Sequence, residues 1–276
     1  MSDVRTDPAP TEATRVPDGK GDFIWYELLT PDPEGAKAFY DAVVGWNVEA
    51  RPSGELDYRM ITRSDGGNAG GLMRLTDDMA THGAKPVWLG YVSVADVDSS
   101  VAAIEESGGR TLVPAFDIPN TGRIAMVADP SGASFYVMTP VPPAGDPNAV
   151  SDVFSPTAEQ RVGWNELQTS DVEGARKFYG EQFGWGSDEF MDMGPMGKYR
   201  FWDFKGTRLG ALFNADDNQQ PHWRFYIRVP SISAAKAAVE ANGGTIHMGP
   251  HQVPTGDYIV IGSDTQGAEF SLVGGA

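Results

Sequence analysis

Apolar residues in this chain switch between two periods, and the switches mark out its elements. Phe23–Thr30 (FIWYELLT) is a strand-length run of aromatic and branched residues. From Asp32 the period becomes helical, with Ala36, Phe39, Tyr40, Val43 and Val44 on one face. Asp32 is a capping residue type, and Gly45 supplies the stop. VWLGYVSVA, from Val87, reads as a second clear strand. Val97, Val101 and Ile104 mark a second helix that halts at Gly108-Gly109. RIAMVADPSGASFYVM, from Arg123, reads as a hairpin turning at Asp129-Pro130-Ser131-Gly132.

The same order of elements returns later in the chain. Trp25–Trp46 and Trp164–Trp185 are identical at twelve of 22 positions, at an offset of 139. Weaker echoes follow in the same order: Tyr58-Arg59 with Tyr199-Arg200, Gly70 with Gly210, Trp88 with Trp223, Gly108-Gly109 with Gly243-Gly244, and Asp129 with Asp264 in its hairpin. WRFYIRV, ISAAKAAVEANGG and YIVIGSDTQGAEFSLV repeat the later strand, helix and hairpin. The repeats define modules at 21–140 and 161–276, joined by a Pro- and Ala-rich linker at 141–160. Residues 1–20, polar and without apolar period, are expected to be a disordered tail that the fold does not need. Gly71 and Gly122 are expected to serve turns.

The net charge of −17 argues against nucleic acid, which calls for a basic face, and against anionic membrane surfaces. No apolar run approaches the roughly 20 residues that span a bilayer, and the N-terminus lacks a secretory apolar core. A cytoplasmic protein is the default. The absence of cysteine removes disulfides, thiolate metal sites and a cysteine nucleophile.

Three features in order, each found twice, carry a resemblance. They are a strand running into D-x-x-x-A-x-x-F-Y and then G-W, a strand leading to a helix that ends in G-G, and a terminal hairpin turning at Asp129 or Asp264. The chain resembles the vicinal-oxygen-chelate superfamily of glyoxalase I, bleomycin-resistance proteins and extradiol dioxygenases. The resemblance implies an α+β fold: two tandem βαβββ modules forming curled mixed β-sheets with helices on the outer faces. It also implies a cup that holds a divalent ion on His, Gln or Glu ligands in the metal-dependent members. Those ligand positions fall here on Trp25, Leu89 and Tyr136 in the first module and on Trp164, Arg224 and Ser271 in the second. None is a usual ligand for zinc, magnesium or iron, so no metal and no cofactor is expected. His82, His222, His247 and His251 share no metal-binding spacing.

Strand alternation assigns the inward residues. In the first strand of each module the repeated Trp-x-Glu pair, Trp25 with Glu27 and Trp164 with Glu166, should look into the cup, followed by Gln168 in the second module. The later strand of module 2 should turn Arg224, Tyr226 and Arg228 inward, where module 1 offers Leu89, Tyr91 and Ser93. Tyr136, Tyr58, Tyr199 and Phe116 are further wall candidates. A carboxylate buried at the same point of both repeats needs a reason. Glu27 and Glu166 are either acid–base or cation-anchoring groups, or structural acceptors paired with backbone, Arg224 or Arg228. Three functions stay open. One is a metal-free protein that binds a small organic molecule against Trp25, Tyr91, Tyr136, Trp164, Gln168, Arg224, Tyr226 and Arg228. Another is a lyase or isomerase of a small carbonyl compound that uses Glu27 and Glu166 as acid–base groups or unusual metal ligands. The third is a structural protein with filled cups. Monomer is the default state and dimer the alternative.

Overall fold

A computed structural model describes residues 4–6, 21–52, 56–146, 149–215 and 219–276. Its first half comprises β1 (Val4–Thr6), β2 (Phe23–Thr30), α1 (Pro33–Val44), β3 (Asn47–Val48), β4 (Tyr58–Thr62), β5 (Asn68–Arg74), α2 (Asp77–Thr81), β6 (Val87–Ser93), α3 (Val97–Glu106), β7 (Arg110–Ile118), β8 (Gly122–Ala128) and β9 (Ser134–Pro140). The second half comprises β10 (Val162–Thr169), α4 (Val172–Phe183), β11 (Glu189–Asp192), a 3-10 turn (Gly194–Met196), β12 (Lys198–Phe204), β13 (Thr207–Asn214), β14 (His222–Ser231), α5 (Ile232–Ala241), β15 (Thr245–Gln252), β16 (Tyr258–Ser263) and β17 (Glu269–Gly275). Each repeat therefore holds the βαβββ motif twice, giving four motifs where the repeat alone suggests two.

The repeated sequence around α1 and α4 has a local cause. The Oδ1 atoms of Asp32 and Asp171 accept hydrogen bonds from Gly35 N at 3.1 Å and Gly174 N at 2.9 Å, satisfying a first-turn donor of each helix. Each carboxylate folds over its glycine so closely that a Cβ would collide with it, which explains the shared glycine. Gly45 and Gly184 end the helices at φ 77° and 73°, the left-handed region where glycine carries no steric penalty.

Among the described residues the strands form two mixed sheets, one of eight strands with edges β3 and β7, the other of nine with edges β1 and β15. Both sheets are open. The expectation of curled sheets is thus corrected: alternation along a strand specifies its two faces but does not decide whether a sheet closes. The edges are blunted in two ways. β3 and β1 are two and three residues long, and β7 and β15 are interrupted by register shifts. The N-terminal stretch also enters a sheet, with Val4, Arg5 and Thr6 paired to Met191, Phe190 and Glu189. The rest of the expected tail, residues 1–3 and 7–20, lies outside the described residues.

Compactness cuts across the repeats. One unit comprises Gly90–Ser151 and Asn165–Trp223 with the residues up to Ile24; the other comprises Trp25–Leu89, Asp152–Trp164 and Arg224–Ala276. Each unit thus takes half of each repeat, and each is locked by the same buried network. In the first unit Trp223 Nε1 donates to Tyr179 Oη at 3.1 Å, and Tyr179 donates to Asp129 Oδ2 at 3.1 Å. In the second, Trp88 Nε1 donates to Tyr40 Oη at 2.9 Å, and Tyr40 donates to Asp264 Oδ2 at 3.1 Å. The other oxygen of each aspartate accepts the amides that close its hairpin turn: Gly132 and Ala133 for Asp129, Gln266 and Ala268 for Asp264. The helix of one repeat is thereby fixed to the terminal hairpin of the other. Burial first, and the aspartate charge second, hold both phenols well above their ordinary range. Burial also raises both carboxyls, against the pull of their hydrogen bonds.

The linker reading captures composition but not the ties of the segment's last residues. In the second unit Gln160 accepts from Trp46 Nε1 through its carbonyl at 2.9 Å and donates through its amide to Gly45 O at 2.6 Å. Asp152 pairs with the buried Arg63 guanidinium at 2.6 Å. Residues 147–148 of the linker lie outside the described residues.

Candidate functional site

The first unit presents one sheet face built by β10, β13, β12 and β11. Register places Glu166 beside Ala211 and Ala211 beside Phe201. The next row holds Gln168, Phe213, Tyr199 and Met191. Glu166 is 4 % exposed, and its carboxylate is held from two sides. Tyr199 Oη donates to Oε2 at 2.7 Å, and Gln168 Nε2 donates to Oε1 at 3.0 Å. Bonds to an ionised acceptor are about twice as strong as neutral ones, so this pair offsets much of the cost of burying the charge. The Tyr199 ring lies 5.4 Å from Phe213 and 5.9 Å from Phe201, and the Arg208 guanidinium stands 4.2 Å from the Phe201 ring centre. The face combines a buried anion, a phenol and apolar rings.

The equivalent face of the second unit is built by β2, β5 and β4. Glu27, 2 % exposed, lies beside Gly71 and then Met60, with Leu29, Met73 and Tyr58 in the next row. Here Tyr58 Oη accepts from Trp25 Nε1 at 2.8 Å. The hydroxyl end of Tyr58 lies against Gly71, where a Cβ would stand 2.5 Å from Tyr58 Cζ and nearer still to the hydroxyl. Gly71 therefore does not serve a turn. It sits inside β5 with ordinary backbone, and its missing side chain makes room for the phenol.

The other expected residues are distributed as follows. Tyr91 and Tyr136 are neighbours on the parallel pair β6 and β9, and their buried rings stack at 4.3 Å and 17°. In the second unit Arg224 Nε pairs with Glu269 Oε1 at 2.7 Å and Arg228 Nη2 with Asp257 Oδ2 at 3.0 Å, so both arginines are engaged by carboxylates of their own unit. Tyr226 is buried beside Ser271 in the register of β14 and β17. Trp164 is half-buried on β10. Phe116 is 43 % exposed on edge strand β7.

A divalent ion does not fit these residues. The first-strand positions carry indoles, and Trp25 spends its only donor on Tyr58. Arg224 brings a cation to another ligand position. Among the described residues no group of three or more His, Cys, Asp or Glu could hold a metal. His82 and His247 bond instead to Asp78 O and Ser263 Oγ.

Sequence reasoning missed two features. The Tyr199–Glu166–Gln168 arrangement was legible in part, because a Gln two residues after a strand Glu shares its face. The Asp57–Arg59 pair, with Arg59 fully buried and also reaching Glu34 at 2.9 Å, had only the repeated Tyr-Arg dipeptide as a signal.

The profile of the Glyoxalase/Bleomycin resistance protein/Dioxygenase superfamily matches residues 23–137 and 161–272. The chain is 29% identical over 255 residues to CFP32 of Mycobacterium tuberculosis, which carries a provisional glyoxylase name, covering 90% of this chain and 93% of that protein. It is 27% identical over 267 residues to the anthracycline biosynthesis protein DauV of a Streptomyces species, covering 90% and 91%. Two solved structures share the fold. One is the 2,3-dioxygenase LapB of Pseudomonas sp. KL28, with TM-score 0.60, 13% identity, and 94% and 93% of the two chains covered. The other is the Mn(II)-bound glyoxalase of Novosphingobium aromaticivorans, with TM-score 0.60, 14% identity, and 93% and 83% covered.

Proposed function

The chain belongs to the Glyoxalase/Bleomycin resistance protein/Dioxygenase superfamily, and on that premise we propose that it binds a small organic molecule on the sheet faces carrying Glu166 and Glu27, without the metal of its chelating relatives. The observation that carries this reading is the Glu166 carboxylate, buried yet supported by Tyr199 and Gln168 and set among aromatic rings. A flat apolar ligand with one donor or cationic group matches such a face: rings supply area, and the carboxylate fixes orientation. Two relatives named for anthracycline biosynthesis support a planar aromatic ligand class. The net charge of −17 favours the approach of a cation over that of an anion.

The reading comprises a cytoplasmic monomer that takes a small molecule and no nucleic acid. Among the described residues no helix is long and apolar enough to cross a membrane. The test is a fluorescence titration of EDTA-treated protein with proflavine, a planar tricyclic cation. Saturable binding that added zinc or manganese does not strengthen is expected. A flat titration, or one that becomes saturable only with added metal, overturns the reading.

A further inference from the structure

The sheet faces carrying Glu166 and Glu27 share a register, so their positions can be matched one to one. Two positions keep their residue: Glu166 answers Glu27, and Tyr199 answers Tyr58. Four positions change, and they change together. Phe201 and Phe213 stand where the other face has Met60 and Met73, Gln168 where it has Leu29, and Ala211 where it has Gly71. Phe213, Met60 and Met73 are half-buried, so each keeps part of its surface open to contact.

The changes have one physical direction. On the Glu166 face the rings are rigid and fixed against one another, with Tyr199 5.4 Å from Phe213 and 5.9 Å from Phe201. Gln168 adds an amide that donates to the carboxylate. On the Glu27 face the two Phe positions carry methionine, an unbranched side chain with three rotatable bonds and a polarizable sulfur that fits itself to irregular apolar surface. Leu29, in the place of the amide, adds hydrocarbon alone.

We propose that the Glu27 face is a site for a flexible alkyl chain, a different ligand class from the planar ring of the Glu166 face. A chain has no plane to stack and is bound through buried apolar area alone. Met60 and Met73 can follow such a chain through its rotamers, which rigid rings cannot do. Leu29 continues the apolar surface in the row of Met73. The alkyl assignment rests on the binding function proposed above and adds a second ligand class to it.

The test uses metal-free protein carrying 13C-labelled methionine methyl groups. Resonances of Met60, Met73 and Met191 are assigned by their loss in Met60→Leu, Met73→Leu and Met191→Leu. Met191 reports on the Glu166 face, where it stands beside Tyr199. The probes are n-octanol, a neutral chain that the protein's charge does not steer, and proflavine. n-Octanol is expected to shift Met60 and Met73 saturably and to leave Met191 in place, and proflavine to do the reverse. The alkyl assignment is overturned, and the binding function kept, if proflavine shifts Met191 while n-octanol shifts neither Met60 nor Met73. It is also overturned if either probe shifts all three residues alike. Shifts of Met60 and Met73 by n-octanol with no response to proflavine uphold the alkyl site and overturn the planar-ring reading. Silence towards both probes overturns both.

Discussion

Replacing Tyr179 by Phe tests the lock of the first unit. The substitution removes one oxygen and keeps the ring, so packing against Phe135, Trp185 and Trp202 is preserved. Two buried hydrogen bonds disappear, leaving Trp223 Nε1 without its acceptor and Asp129 Oδ2 without its donor. Each stranded group costs about 1–3 kcal/mol; at about 1.5 kcal/mol apiece the sum is about 3 kcal/mol. At about 2–4 °C per kcal/mol for a domain of this size class, the melting temperature should fall by about 6–12 °C in calorimetry. Tyr40→Phe should cost a similar amount, and the double variant should be additive within about 0.5 kcal/mol because the two networks share no residue. Alkaline pH gives a second readout. The folded phenols bind their protons more tightly than free tyrosine, whose pKa is about 10. Their stabilising contribution is therefore complete below that pH and is lost as pH rises above it, and each Phe variant should lose part of this alkaline slope. A cost below about 1 kcal/mol, short of even one stranded buried group, would refute the account of the lock.

Asp57→Asn should destabilise by about 3 kcal/mol, the lower end for breaking a buried pair, because Glu34 still reaches Arg59. Arg59 holds the Asp57 carboxyl below its ordinary range, so in wild type this contribution is present above that range and lost as acid titrates the folded group; urea melts at descending pH should show an acid limb that the variant lacks. A chain beginning at Gly21 should keep the Trp185 indole bonded to Gly21 O at 2.7 Å, while one beginning at Phe23 should lose about 1–3 kcal/mol, as thermal melts of the two will show.

Much of the fold is legible in the sequence because its signals are local. Asp32, Gly35 and Gly45 prescribe α1 from within one segment, and the repeat transfers the same prescription to α4. The swapped composition of the units is not local, since nothing near Tyr40 or Asp264 says that they meet. The repeated Trp88 and Trp223 were visible as echoes, but their shared task is to bond a tyrosine, which only the folded chain reveals. The candidate site divides the same way. Alternation places Trp25 with Glu27, and Glu166 with Gln168, on one face of their strands. The bonds that join Tyr199 to Glu166 and Tyr58 to Trp25 each span 33 residues, beyond the reach of any local signal.

The most direct test of the central claim is a calorimetric titration of proflavine into metal-free protein, wild type beside Glu166→Gln, with plasma emission on the same samples. The account predicts saturable binding to wild type at less than about 0.1 transition metal per chain, weakened about tenfold by the loss of the carboxylate charge, a shift of about 1.4 kcal/mol. Binding that is absent from metal-free wild type and restored by one equivalent of zinc, iron or manganese, or that is unaltered in Glu166→Gln, would contradict it.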